Sequence, residues 1–250
     1  MSMFDFWVKT SGTWINVALV LLGSGLGLLL RNQLSMKMQI VITQAVGLTT
    51  IAIGTIMSLS LTDAGAGRVD GVVLALVSLV VGGLLGEWLK IEECLSRTGD
   101  WLKVRFRGGG RFTEGFVAAS LLFCIGPMAI LGSLNNGLLN DSTILVVKGT
   151  MDGLVSIALT GTYGVGVVFS ILPVILYQGG LSLIASVLEQ SIPNPETSSS
   201  VLLITGTGGI MILGLGINLL EIKPIRVASF LPALVLGPLA SGLARWLLPG

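Results

Sequence analysis

The 250-residue chain contains no histidine, and charged residues make up only 11% of it. The first absence excludes a histidine metal site and a histidine general base. The second falls far below the charged share of soluble domains, and with 52% hydrophobic residues it places the chain in the membrane class. Aromatic residues are scarce, at 6%, and the two cysteines, Cys94 and Cys124, form no ligand or redox spacing. Cys124 lies mid-span and reads as a small buried hydrophobe. No phosphate-binding glycine loop, metal-ligand cluster or nucleophile with its base is present, so no catalytic residue, metal or cofactor is expected. A formal charge of +1, without a basic face interleaved with aromatics, gives no reason to expect a nucleic-acid partner. The opening MSMFDFWVKTSG carries Asp5 and lacks the basic start of a cleavable signal, so the first span is read as retained.

Glycine is abundant, with 35 residues, and small residues let membrane helices approach closely. The expected fold is an all-α polytopic membrane protein of about eight transmembrane helices, forming a single membrane domain over residues 1–250. Trp14–Leu30, Ile40–Leu61 and Val72–Leu89 are the first three spans, each near the ~20 residues a hydrocarbon core requires. A polar loop at 90–113 follows, placed on the cytoplasmic side. It is read either as an interfacial amphipathic helix, broken near Gly99 and again at Gly108–Gly110, or as a solvated connection. The fourth span, Gly115–Leu134, holds Gly126 and Pro127 at its middle, where a kink or break is expected, and Asn135–Gly137 form the next turn. Residues 141–188 form either two spans, 143–159 and 165–188 around Pro173, or one span and a re-entrant segment. After a loop with Pro193 and Pro195, Val201–Leu220 and Ala228–Leu248 complete the count.

With both termini outside, ten basic residues fall in cytoplasmic loops and three (Lys9, Arg68 and Arg245) outside. This asymmetry supports an even span count in a bacterial inner membrane. At a shift of 162 residues, Thr43, Gly47 and Gly54 fall on Thr205, Gly209 and Gly216, and Asn16 falls on Gln178. The second and seventh spans run in opposite senses, as expected of inverted repeats. The halves are 12–90 and 165–248, flanking a central helix pair at 115–160.

Lys148 and Asp152 lie one helical turn apart inside an apolar span, where charge survives mainly in a bundle interior or a watery path. They are read either as a proton or cation site, with Lys148 neutralising Asp152, or as an ion pair that fixes helix orientation. Asn16 and Gln178 are the further candidate lining residues, and Gly126, Pro127 and Pro173 are candidate helix breaks for gating. Thr160–Gly164 has the outline of a potassium-selectivity loop but lacks its valine, and a plain turn accounts for it.

GTWINV at Gly12, GEWLKIEECLSRTGDWLKVRF at Gly86, FVAASLLFCIGPMAILGSLNNGL at Phe116, LPVILYQGG at Leu172 and INLLEIKPIRVASFLPAL at Ile217 together resemble DUF554, a bacterial family of uncharacterised integral membrane proteins. The resemblance extends over nearly the whole chain and implies a multi-spanning inner-membrane protein, with no substrate and no catalytic residues attached. The expected partners are the lipid bilayer, an unidentified small solute or ion, and further copies of the chain packed through glycine faces. A secondary transporter or channel-like protein is the leading expectation, and a non-transporting membrane scaffold is its rival.

Overall fold

The computed structural model describes residues 3–31, 33–66, 69–187 and 199–247. The polar loop with Pro193 and Pro195, and Gly67–Arg68, lie outside the described residues. The chain begins with a short α1 (Met3–Lys9), then α2 (Ser11–Arg31) and α3 (Met36–Ser58), the last extended by a 3₁₀ turn to Asp63. The helices α4 (Gly71–Trp88), α5 (Ile91–Arg105), α6 (Phe112–Cys124), α7 (Pro127–Leu139) and α8 (Thr143–Tyr163) follow. Residues 165–187 make one irregular helix: a 3₁₀ stretch, α9 (Ile171–Val174), a π-helical turn at Ile175–Gly179 and α10 (Gly180–Val187). The chain closes with α11 (Ser199–Leu219), a 3₁₀ turn at Val227–Phe230 and α12 (Ala233–Leu247).

Among the described residues, seven helices are long and apolar enough to cross a membrane, and the bent pair α6–α7 brings the number to eight if it counts as one span. The fold is thus an all-α polytopic membrane fold. Both 143–163 and 165–186 meet the length and hydropathy of a full span. The expected break at Gly126–Pro127 is present, with α6 and α7 meeting at 58°. Proline opens α7 at its first position, where a missing N–H leaves no helical bond unmade.

Three local expectations are corrected. Gly99 does not break the polar segment; α5 runs through it, because a bare Cα lets the helix lie against Thr113 and Phe116. Asn135–Gly137 are not a turn but the last turns of α7, which ends at Asn140 in the left-handed conformation. Residues 160–163 are the end of α8, and the turn is confined to Gly164, whose φ of +83° favours glycine.

The chain divides into two compact units, residues 1–46 with 96–193, and residues 47–95 with 194–250. In the first unit, α2 and α8 run parallel and touch along glycine. A Cβ on Gly23 would run into the Gly153 carbonyl, one on Gly27 would meet the Ile157 carbonyl oxygen at 2.6 Å, and one on Gly149 would meet the Asn16 Cα at 2.8 Å. In the second unit, α3 and α11 run antiparallel. Gly54 faces Gly209, each Cβ position lying 2.8 Å from the other's carbonyl oxygen, and Gly47 faces Gly216. Such contacts replace side-chain burial with close backbone packing, which suits helices already surrounded by lipid.

The α3–α11 contacts are symmetric. The 162-residue shift carries Gly47 onto Gly209 and Gly54 onto Gly216, so it exchanges the pair Gly47–Gly216 with the pair Gly54–Gly209. The same shift moves α3 to 198–220, beside the observed Ser199–Leu219, and starts α4 at the first residue of α12, Ala233. At the polar rim of this unit, Arg226 pairs with Glu87 at 3.0 Å and Glu93 at 2.5 Å, and the Ala228 N–H donates to Glu92 at 2.8 Å. Burial holds the Glu92 carboxyl above the usual carboxylate range despite that hydrogen bond and the nearby guanidinium. Asp70 accepts from the Val72 N–H and caps α4.

Glycine to alanine in a helix interior ordinarily stabilises by about 1 kcal/mol. Gly25, with no neighbouring atom within 4 Å, should follow that rule, whereas Gly23→Ala should lower the melting temperature because its methyl meets the Gly153 carbonyl. Thermal unfolding of the two purified variants checks the opposite signs.

Candidate functional site

The α8 sequence TILVVKGTMDGLVSIALTGTY places Lys148 and Asp152 one turn apart on its buried stripe, with residue exposures of 6% and 8%. Their side chains form an ion pair, Lys148 Nζ donating to Asp152 Oδ2. Gly149, next to Lys148, has no side chain, and this admits the α2 backbone at Asn16. Asn16 is fully buried and donates from Nδ2 to Asp152 Oδ2 at 3.1 Å, and from the same nitrogen to Gln178 Oε1 at 3.1 Å.

Gln178 comes from the irregular helix. Pro173 lacks an N–H, and its ring crowds the preceding turn, which here is the 3₁₀ stretch ending at Ser170. The π-helical turn that follows contains Gln178 and delivers it, fully buried, beside Asn16. π-turns of this kind are rare and concentrate at functional sites. All four polar residues expected from sequence therefore meet in one buried network drawn from three segments. Pro173 stands one turn before that network, whereas Gly126 and Pro127 mark the α6–α7 bend.

The network has a direction. Asp152 can only accept, so it fixes which way the Asn16 amide points. The second N–H of Asn16 then fixes Gln178 with its oxygen inward. Asn16 Oδ1 and Gln178 Nε2 are left as a buried acceptor and a buried donor with no protein partner among the described residues. A carboxylate paired with an ammonium sums to no net charge, which is the cheapest way to keep two ions in an apolar bundle. The described residues include no group of three or more metal-ligating side chains.

Several polar residues near the network were not singled out from the sequence. Ser156 donates to the Asp152 carbonyl at 2.7 Å. Asn136, on α7, accepts from the Gly12 N–H at 2.9 Å and donates to the Val8 carbonyl and the Ser11 hydroxyl, so it ties the start of α2 to α7. Ser24, Thr160, Ser170 and Ser182 are buried to the last per cent and carry hydroxyls without a protein partner among the described residues. Four-residue spacing from Asp152 and Gln178 was the available signal, since 152, 156 and 160, and 170, 178 and 182, share helix faces.

Removing one member of a buried ion pair costs about 3–5 kcal/mol, while replacing both with apolar groups is often neutral. Lys148→Met should therefore lower stability, and Lys148→Met with Asp152→Leu should recover most of the loss. Thermal unfolding of the single and double variants measures the coupling.

A model of the family described as protein of unknown function, DUF554, matches residues 11–241. The chain is 32% identical over 228 residues to the uncharacterized membrane protein YdfK of Bacillus subtilis, covering 91% of this chain and 93% of that one. It is 28% identical over 243 residues to the uncharacterized protein YqgA of Escherichia coli, covering 94% and 98%. No solved structure matches it. With its apolar helices and a family match over more than nine-tenths of its length, the chain is a multi-pass membrane protein that belongs to the DUF554 family.

Proposed function

We propose that the protein is a secondary transporter for a small solute or ion, with Asp152 at its centre and Lys148, Asn16 and Gln178 around it. One observation carries this reading. Asn16 and Gln178 are 162 residues apart, the shift that equates the two sequence halves, and they are hydrogen-bonded to each other beside Asp152. Inverted-repeat transporters bind substrate and coupling ion where equivalent elements of their two halves meet, on helices that are interrupted there. Here the interruption is the π-turn that carries Gln178.

The proposed repeats are 12–90 and 165–248, with 115–160 central. Each half then gives its first span to one compact unit and most of its other two to the second. Gly126–Pro127 and Pro173 are the candidate bends for gating, and the basic-residue asymmetry favours both termini outside an inner membrane. A proton suits Asp152 better than a metal cation, because a proton needs one carboxylate oxygen whereas a metal needs several ligands, and Lys148 and Asn16 both already bond Asp152 Oδ2.

The rival reading is a scaffold in which the ion pair only orients α8. The purified protein is warmed against a panel of ions, amino acids and small carboxylates, beside Asp152→Asn. A ligand that binds only the folded state stabilises it by about 2.7 kcal/mol at 100 times its Kd. The transporter reading predicts saturable stabilisation by a member of the panel and its loss in the variant. Equal behaviour of both proteins toward every ligand would favour the scaffold.

A further inference from the structure

Within the first compact unit, three buried polar stripes converge on the ion pair. On α8 the stripe is Lys148, Asp152, Ser156 and Thr160; on α2 it is Thr13, Asn16 and Ser24; on the irregular helix it is Ser170, Gln178 and Ser182. The α8 and α2 sets follow three- or four-residue spacing or its multiples, so each occupies one helix face, and the third set is fully buried along the irregular helix. The contacts fix how the stripes align. Gly12 lies against Leu145, Asn16 against Gly149 and Gly27 against Thr160, so α2 and α8 run in register in the same direction. Asn16 bonds Gln178, and Gly179 lies against the Thr13 methyl, so the stripe on the irregular helix runs beside the α2 stripe. Polar groups therefore extend from the charged network in both directions, toward Thr13 and Ser182 at one end and toward Ser24, Thr160 and Ser170 at the other. The α8 stripe from 148 to 160 alone rises about 18 Å, more than half the thickness of a hydrocarbon core.

Most hydroxyls on these stripes, Ser156 excepted, are unusual in their bonding. A buried serine in a membrane helix ordinarily donates to the carbonyl one turn back, as Ser78, Ser120 and Ser156 do here. Thr13, Ser24, Thr160, Ser170 and Ser182 do not, and their oxygens have no partner in the protein among the described residues. Asn16 Oδ1 and Gln178 Nε2 are in the same condition. Each such group in an apolar interior is costly unless something other than the protein satisfies it. Seven of them lie on these three stripes at 1% exposure or less, whereas the other fully buried hydroxyls in this condition among the described residues, Ser133 on α7 and Thr207 on α11, stand singly on their helices.

We infer that the three stripes enclose a polar lane through this unit, which takes water and hydronium and delivers them to Asp152 from both ends. The inference rests on the transporter reading for its purpose but not for its test. Hydroxyls suit such a lane because each can donate and accept, so a chain of waters can run past them without a fixed polarity. Lys148 and Asp152 at the centre let the lane carry protons while holding back metal cations.

Substituted-cysteine accessibility tests the lane without any knowledge of a substrate. In full-length protein carrying Cys94→Ser and Cys124→Ala, single cysteines are introduced as S24C, T160C and S182C, with L154C on an exposed position of α8 as the lipid-facing reference. Serine to cysteine is close to isosteric; where one of these variants fails to fold, S170C or T13C reports on the same end. A water-soluble methanethiosulfonate reagent should modify the lane cysteines faster than L154C by an order of magnitude or more. Reaction at both ends of Asp152 supports the lane. Protection of either end, in protein whose cysteines all react after denaturation in detergent, overturns it. The outcome is separable from the parent reading: a reactive lane in a protein that binds no ligand at Asp152 leaves the lane and removes the transporter, and a protected lane beside a bound ligand does the reverse.

Discussion

The expense of keeping Lys148 and Asp152 away from water is the constraint that shapes the first compact unit. An isolated ion in that interior would cost several kcal/mol, and the direct pair removes most of the charge but not all of the hydrogen-bonding demand. Asn16 has to come close enough to donate to the carboxylate, so α2 has to touch α8 at backbone distance. Gly149, Gly153, Gly23 and Gly27 make that approach geometrically possible. The glycine faces and the buried charges are thus two parts of one arrangement: without the first the second would be unsatisfied.

Gln178 extends the same logic to the irregular helix. A regular α-helix through 165–187 would leave Pro173 in conflict with its own preceding turn. The 3₁₀ stretch, the short α9 and the π-turn resolve that conflict and rotate Gln178 inward. In the second unit the α3–α11 contact is self-complementary under the 162-residue shift, and in the first unit the Asn16–Gln178 pair is related by that same shift. Two independent contacts that obey one sequence offset are difficult to obtain from glycine-rich composition alone. Both contacts are those that an internal repeat would produce.

Much of this was legible in the chain. Apolar run lengths predict the spans, Gly126–Pro127 predicts the α6–α7 bend, and a charge pair in an apolar segment predicts its own burial. The misreadings came from residues whose local preference lost to packing. Gly99 marks a break by propensity, yet it stays helical because Thr113 and Phe116 use its open face. Asn135–Gly137 look like a turn, but Asn136 is held inside α7 by its bonds to Gly12 and Val8. The serines and threonines of the three stripes were passed over because one hydroxyl in a membrane span carries no signal. Their meaning lies in the alignment of three segments, and only the folded chain supplies that.

The central claim is that the buried charges serve movement across the membrane and not architecture alone. The most direct measurement is potential-driven proton uptake into sealed liposomes, read with a trapped pH dye. It compares the native protein with the charge-free Lys148→Met, Asp152→Leu protein at equal incorporation and with the same elution on gel filtration. The account predicts lumenal acidification by the native protein and none above empty liposomes by the charge-free one. Indistinguishable traces from the two proteins would contradict it and leave the ion pair a structural feature.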